Sequence, residues 1–146
     1  MKSGSIFLVS CVKTKSKGPC EAADLYTSQW FSGARRLVER SGFRWFILSA
    51  HYGLLAPTAR VDSYERTLNT MRQPDRKAWA DRVLRDLRPQ LVGIEQVIFL
   101  AGVRYREYLA PGLSASGLKI DVPMQGLKFG PQISWMKAHA EDYTTS

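Results

Sequence analysis

The sequence predicts one α/β domain over residues 1–146, a three-layer sandwich around a four-stranded parallel sheet. Three observations carry that expectation. Short apolar runs alternate along the chain with segments whose apolar residues recur at helical spacing. At 146 residues and 45% hydrophobic content, the chain can bury one real core without disulfides or metals. Polar, chemistry-bearing residues gather where the apolar runs end, and parallel sheets bind ligands beyond the carboxyl ends of their strands.

Ser5-Ile6-Phe7-Leu8-Val9-Ser10 reads as the first strand, followed by a polar, basic loop from Cys11 to Ala23 that Gly18-Pro19 punctuates. From Ser28 to Arg40, Trp30, Phe31, Ala34, Leu37 and Val38 recur at helical spacing, and Ser41-Gly42 ends the helix. Trp45 to Ser49 is the second strand. It runs into a loop, Ala50-His51-Tyr52-Gly53-Leu54-Leu55-Ala56-Pro57, with an imidazole, a phenol and a glycine in succession. Ser63 to Met71 reads as a short helix. Pro74-Asp75 starts a longer one with Trp79, Val83, Leu84 and Leu87 inward and Arg76, Lys77, Arg82, Arg85 and Arg88 outward, as a solvated or a phosphate-tracking face. Gln96 to Leu100 is the third strand, Val103 to Leu109 a short helix, Leu118 to Val122 the fourth strand, and Gln132 to Ala140 the final helix.

The net charge is +8, with 21 Lys and Arg against 13 Asp and Glu. Such an excess attracts polyanions, because neutralising phosphates releases their counterions. DNA is therefore the expected partner, and some of the four Trp, six Tyr and six Phe can serve as stacking platforms for bases. No apolar run is long enough to span a bilayer, and no cleavable leader pattern opens the chain, so a cytoplasmic location is expected. Cys11 and Cys20 make no metal-ligand signature and read as free thiols; no metal, cofactor or obligate protein partner is expected.

The candidate site is read from the strand ends. Ser10 and Cys11 suit a base pocket, and Lys13, Lys15 and Lys17 suit phosphate contacts or a plain basic surface loop. Lys13 also suits an amine nucleophile, a role lysine takes when burial strips its proton. Ser28 reads as a helix cap, with Asp24 and Tyr26 just outside the helix start. Ser49, Tyr52 and Tyr64 extend the pocket, and Gly53 supplies a backbone conformation or a close approach that other residues resist. His51 is a proton donor or a hydrogen-bonded structural histidine, and Asp62 and Glu65 are the carboxylates nearest the loop. Near the C-terminus, Lys128, Gly130 and Gln132 precede or open a helix whose backbone amides can bind phosphate. Gln125 or Gln132 can read a base edge there, while a tight turn explains the glycines equally well.

Taken together, Ser10-Cys11-x-Lys13-x-Lys15, Asp24-Leu25-Tyr26-x-Ser28, Leu48-Ser49-Ala50-x-Tyr52-Gly53-Leu54-Leu55-x-Pro57, Tyr64 and Gly126-Leu127-x-x-Gly130-x-Gln132-x-x-Trp135 resemble a known pattern. The chain is similar, over nearly its whole length, to small bacterial and phage domains related to the YaaA peroxide-stress proteins. That resemblance implies nucleic-acid association and, more remotely, a uracil-DNA glycosylase-like fold. The familiar glycosylase motifs are not present letter for letter, so no catalytic residue transfers from that group. YaaA proteins are longer, and their additional DNA-binding parts do not transfer either.

The function expected is a DNA glycosylase, a hydrolase that excises a flipped, non-standard or hypermodified base, such as a modified cytosine of phage DNA, and leaves an abasic site. Breaking an N-glycosidic bond builds positive charge on the sugar, which a carboxylate stabilises; Asp62, Glu65 and Asp24 are the candidates. A donor must meet the departing base, a task for His51 or Lys13, and a ring (Tyr52 or Tyr26) must hold the base out of the stack. Two other readings use the same residues differently: a non-catalytic DNA-binding stress or damage protein, and an N-glycosidase acting on free nucleosides or nucleotides.

Overall fold

The computed structural model describes residues 4–10, 18–64 and 67–143. In chain order its elements are β1 (Ser5–Ser10), β2 (Cys20–Glu21), α1 (Ala22–Leu25), α2 (Gln29–Ser41), β3 (Arg44–Ser49), β4 (Gly53–Leu55), β5 (Arg60–Val61), α3 (Gln73–Leu87), β6 (Gln96–Leu100), α4 (Val103–Arg106), α5 (Leu109–Ala115), β7 (Lys119–Asp121) and α6 (Phe129–Ala138). Short 3₁₀ turns span Leu68–Thr70 and Arg88–Leu91.

β1 is buried along its whole length because it sits at the centre of the sheet, paired in parallel with β3 on one side and β6 on the other. Among the described residues five strands form this sheet, in the order β4-β3-β1-β6-β7. The β6–β7 pair is also parallel, whereas β4 runs antiparallel to β3. The sequence predicts four strands, all parallel, with Gly53 to Leu55 in a loop. Instead the chain reverses after Ser49 and lays Leu54 and Leu55 back beside Leu48 and Ile47. A three-residue strand is too short to show alternation in sequence; it exists because β3 offers an unpaired edge. A separate ribbon pairs Cys20 with Val61 and Glu21 with Arg60, where the sequence reads no strand.

Side chains alternate across the sheet, which is why its strands read as unbroken apolar runs. Phe7, Val9, Trp45, Ile47, Ile98 and Leu100 face α2 and α6, packing on Phe31, Ala34, Leu37, Val38 and Met136. Ile6, Leu8, Phe46, Leu48, Val97 and Phe99 face α3 and α5, packing on Trp79, Val83, Leu84, Leu87, Leu109 and Leu113. These two apolar layers bracket the sheet. Among the described residues no helix is long and apolar enough to cross a membrane.

Helix ends follow local chemistry. The Ser28 hydroxyl accepts the Phe31 amide at 3.1 Å and starts α2, and Gly42, with φ of 75°, ends it. Between Ser63 and Met71 the structure has only the 3₁₀ turn, because Thr67 is extended and caps that turn by accepting the Asn69 amide. Val103 to Leu109 resolves into two helices. A continuous helix would place the Pro111 ring against the Glu107 carbonyl, so the chain breaks and α5 restarts with Pro111 in its first turn. The last helix begins at Phe129 rather than Gln132, with Pro131 in the first turn where its missing N–H is not needed.

Tyr143 closes the α6 side of the core with its ring edge-on to Phe7 at 5.3 Å. Burial first, and then the carboxylates of Asp121 and Asp142, push its phenol up to about 12 from the ordinary value of 10. A raised acid pKa favours the neutral folded form. This contribution to stability is therefore complete below pH 10 and is lost as the pH climbs through about 12. Denaturant titrations from pH 8 upwards should show stability falling across that window, and Tyr143→Phe should flatten the fall.

Candidate functional site

The four parallel strands end at one edge of the sheet, where Ser10 and Ser49 are both buried. The fully buried Ser49 hydroxyl accepts the amides of His51 at 3.2 Å and Tyr52 at 3.0 Å, which turns the chain back on itself. From the opposite face the Trp79 indole donates to the Ser49 carbonyl at 2.8 Å. Gly53 completes the reversal at φ of 79°, a region that strains any residue with a Cβ. It also lies under a guanidinium: a Cβ added at Gly53 would sit 3.1 Å from Nε of Arg82, whose Nη2 donates to the His51 carbonyl at 3.3 Å. The torsion is what requires the glycine; a Cβ would also crowd the Arg82 guanidinium, which would have to give by a few tenths of an ångström.

This turn sets two rings against a third, Tyr64. The His51 imidazole stacks on Tyr64 at 5.4 Å, while Tyr52 stands edge-on to Tyr64 at 5.6 Å and to His51 at 4.7 Å. The Tyr64 hydroxyl meets that of Tyr26 at 2.6 Å in a buried contact, and Tyr26 leans on Phe31 at 5.0 Å. The Tyr52 phenol donates to the Asp62 carbonyl and accepts the Asp62 amide, both at 3.1 Å. Tyr26, Ser49, His51, Tyr52, Gly53 and Tyr64 therefore form one cluster, with Asp62 fastened to its rim through its backbone and its side chain exposed. Gly18 lies directly against Asp62, since a Cβ there would sit 2.6 Å from Oδ1.

Other predicted site residues stand elsewhere. Asp24 is exposed and ion-paired with Arg35 at 2.7 Å, and Arg35 also donates to the Ala23 carbonyl and to Glu39. The Asp24 hydrogen bond raises the Arg35 pKa against burial, which lowers it; this carboxylate ties α1 to α2. Gln132 accepts from the Trp30 indole at 2.8 Å and donates to the Leu127 carbonyl at 2.7 Å. With both ends of its amide so engaged, Gln132 braces the start of α6 against α2. Lys128 and Gly130 are exposed at that helix start, flanking an exposed Phe129 whose ring stacks on Trp30 at 6.4 Å. Cys11, Lys13, Lys15, Lys17 and Glu65 lie outside the described residues.

Two residues at the turn are not assigned to it by the sequence. Trp79 reads as core, and Arg82 as part of a basic helical face, solvated or phosphate-tracking. Helical spacing reveals which face a residue takes, but not that a long side chain folds over a glycine from another segment. Among the described residues no three His, Cys, Asp or Glu side chains gather as a metal site.

The fold and this cluster define an α/β domain with a group of packed aromatic rings at the carboxyl edge of its parallel strands. A family model, described as Family of unknown function (DUF6884), matches residues 6–138. The protein belongs to that family, and no curated protein matches the chain.

Two outcomes test this geometry. Gly53→Ala should cost about 1–2 kcal/mol from torsional strain alone, read as a lower denaturation midpoint at unchanged slope. In a double-mutant cycle with Tyr26→Phe and Tyr64→Phe, urea denaturation should report a coupling of about 1 kcal/mol. Additive effects would mean that the hydroxyl contact contributes nothing.

Proposed function

We propose that the protein is a DNA glycosylase that hydrolyses the bond between deoxyribose C1′ and a flipped, non-standard or hypermodified base. The observation that carries this reading is the cluster of His51, Tyr52, Tyr64 and Tyr26 at the strand ends of a chain with net charge +8. Rings held at fixed angles suit a base taken out of its stack, and a basic surface suits the strand that carries it.

In the reaction a water oxygen bonds to C1′ as the C1′–N bond breaks, and a proton reaches the departing base nitrogen. His51 is exposed at the cluster and supplies that proton, and the proton lost by the attacking water returns to its ring. Asp62 stabilises the positive sugar or orients the water, with Glu65 as the second candidate for that role. A borohydride trap on DNA separates this course from attack by the Lys13 amine. The relationship to YaaA proteins and the uracil-DNA glycosylase-like fold belong to the same proposal. Four parallel strands between helical layers support that likeness; the antiparallel β4 is additional to it.

The test is mass spectrometry of products released from DNAs carrying modified cytosines and other unusual bases. Free base and abasic sites are expected, with Asp62→Asn and His51→Ala each slowing release by about 10²-fold or more. A broad panel yielding neither product overturns the proposal. Salt-dependent DNA binding without base release would return the protein to the class of non-catalytic DNA binders.

A further inference from the structure

A concavity lies between the Ser49–Gly53 turn and α3. It is a cleft of about 700 Å³ between Ala50, the 3₁₀ turn at Leu68–Thr70 and the first turns of α3. Thr67, Thr70, Arg72, Asp75, Trp79 and Arg82 are among its lining residues.

Arg82 is the unusual member. It is half-buried, and its Nε is shut off from solvent against Gly53 with no hydrogen-bond partner. The contact from Nη2 to the His51 carbonyl, at 3.3 Å, is long for a guanidinium bond. Among the described residues Arg82 makes no ion pair, whereas Arg76 on the same helix pairs with Glu107 at 3.3 Å. A cation partly removed from water without a counter-ion costs stability. The outer edge of this guanidinium is the natural place for an anion to offset that cost.

The rest of the lining sets the kind of anion. Arg72 contributes a second, exposed guanidinium, and Asp75, in the first turn of α3, opposes the pair with one negative charge. The Thr67 hydroxyl accepts the Asn69 amide, which leaves its O–H to donate. Thr70 already spends its O–H on the Thr67 carbonyl, and Trp79 spends its N–H on Ser49. Two forked guanidinium groups and one hydroxyl donor match the tetrahedral, multiply accepting oxygens of a phosphate.

We infer that this cleft is a phosphate subsite, in which Arg82 and Arg72 supply the charge and Thr67 a hydroxyl donor. Its ligand is the phosphodiester of a nucleic-acid strand or the phosphate of a free nucleotide. The site stands on its own lining and does not require that a base be removed next door.

The experiment follows the arginine Nε–H resonances of the ¹⁵N-labelled full chain, assigned with Arg72→Ala and Arg82→Lys. Titrants are inorganic phosphate, thymidine monophosphate and a short oligothymidylate. Saturable shifts of the Arg82 and Arg72 signals are expected. Much tighter binding of the oligomer marks a strand phosphate, and equal binding of the mononucleotide marks a free nucleotide. Arg72→Ala should weaken oligomer binding several-fold and reduce the salt slope by about 1. Because Arg72 is exposed, this arm remains informative even where Arg82→Lys does not fold. Stationary Arg82 and Arg72 signals with all three titrants overturn the subsite, even where base release is observed. Saturable shifts without base release support the subsite and count against the glycosylase reading alone.

Discussion

The Ser49 hydroxyl is fully buried at the end of an inner strand, and there it accepts two successive backbone amides. Without that pair of bonds the amides of His51 and Tyr52 would need other acceptors in a tight reversal, and β4 would have no register on β3. The Trp79 indole holds the same residue from the other face through its carbonyl. A buried hydroxyl that accepts two successive amides is held in place, and rigidity here is inherited by the rings that follow. The placement of His51 and Tyr52, and through them of Tyr64 and Asp62, descends from this one side chain.

The same peptide segment serves two compartments. The His51 ring belongs to the aromatic cluster, while its carbonyl belongs to Arg82 and the cleft beyond. Gly53 keeps the two in contact, because its missing Cβ lets the guanidinium lie on the backbone. A shift of the turn by a few tenths of an ångström moves both compartments together, since packed interiors transmit displacement instead of absorbing it.

Much of the scaffold was legible in the sequence, and the reason is periodicity. Ser5–Ser10 and Gln96–Leu100 are apolar on both faces and flanked by breakers, and their structural bounds coincide with those read from the residues. The apolar stripe of α2 and the inward set Trp79, Val83, Leu84 and Leu87 of α3 were likewise legible. What was not legible depends on pairing across distance. β4 and the β2–β5 ribbon are two or three residues long and exist through their partners. The Tyr26–Tyr64 contact joins residues whose local sequences say nothing of each other. Asp24 shows the same limit: nothing in its local sequence tells of the ion pair it makes with Arg35 on the next helix.

The sheet tapers. Its three inner strands are five or six residues long, whereas β4 and β7 at the two margins have three each. A margin that short offers an incoming chain very few free amides and carbonyls, too few to seed an intermolecular ladder. Folding Gly53–Leu55 back onto β3 therefore does more than aim two rings. It also replaces the long apolar flank of a six-residue strand with a stub, which guards so apolar a sheet against edge-to-edge aggregation.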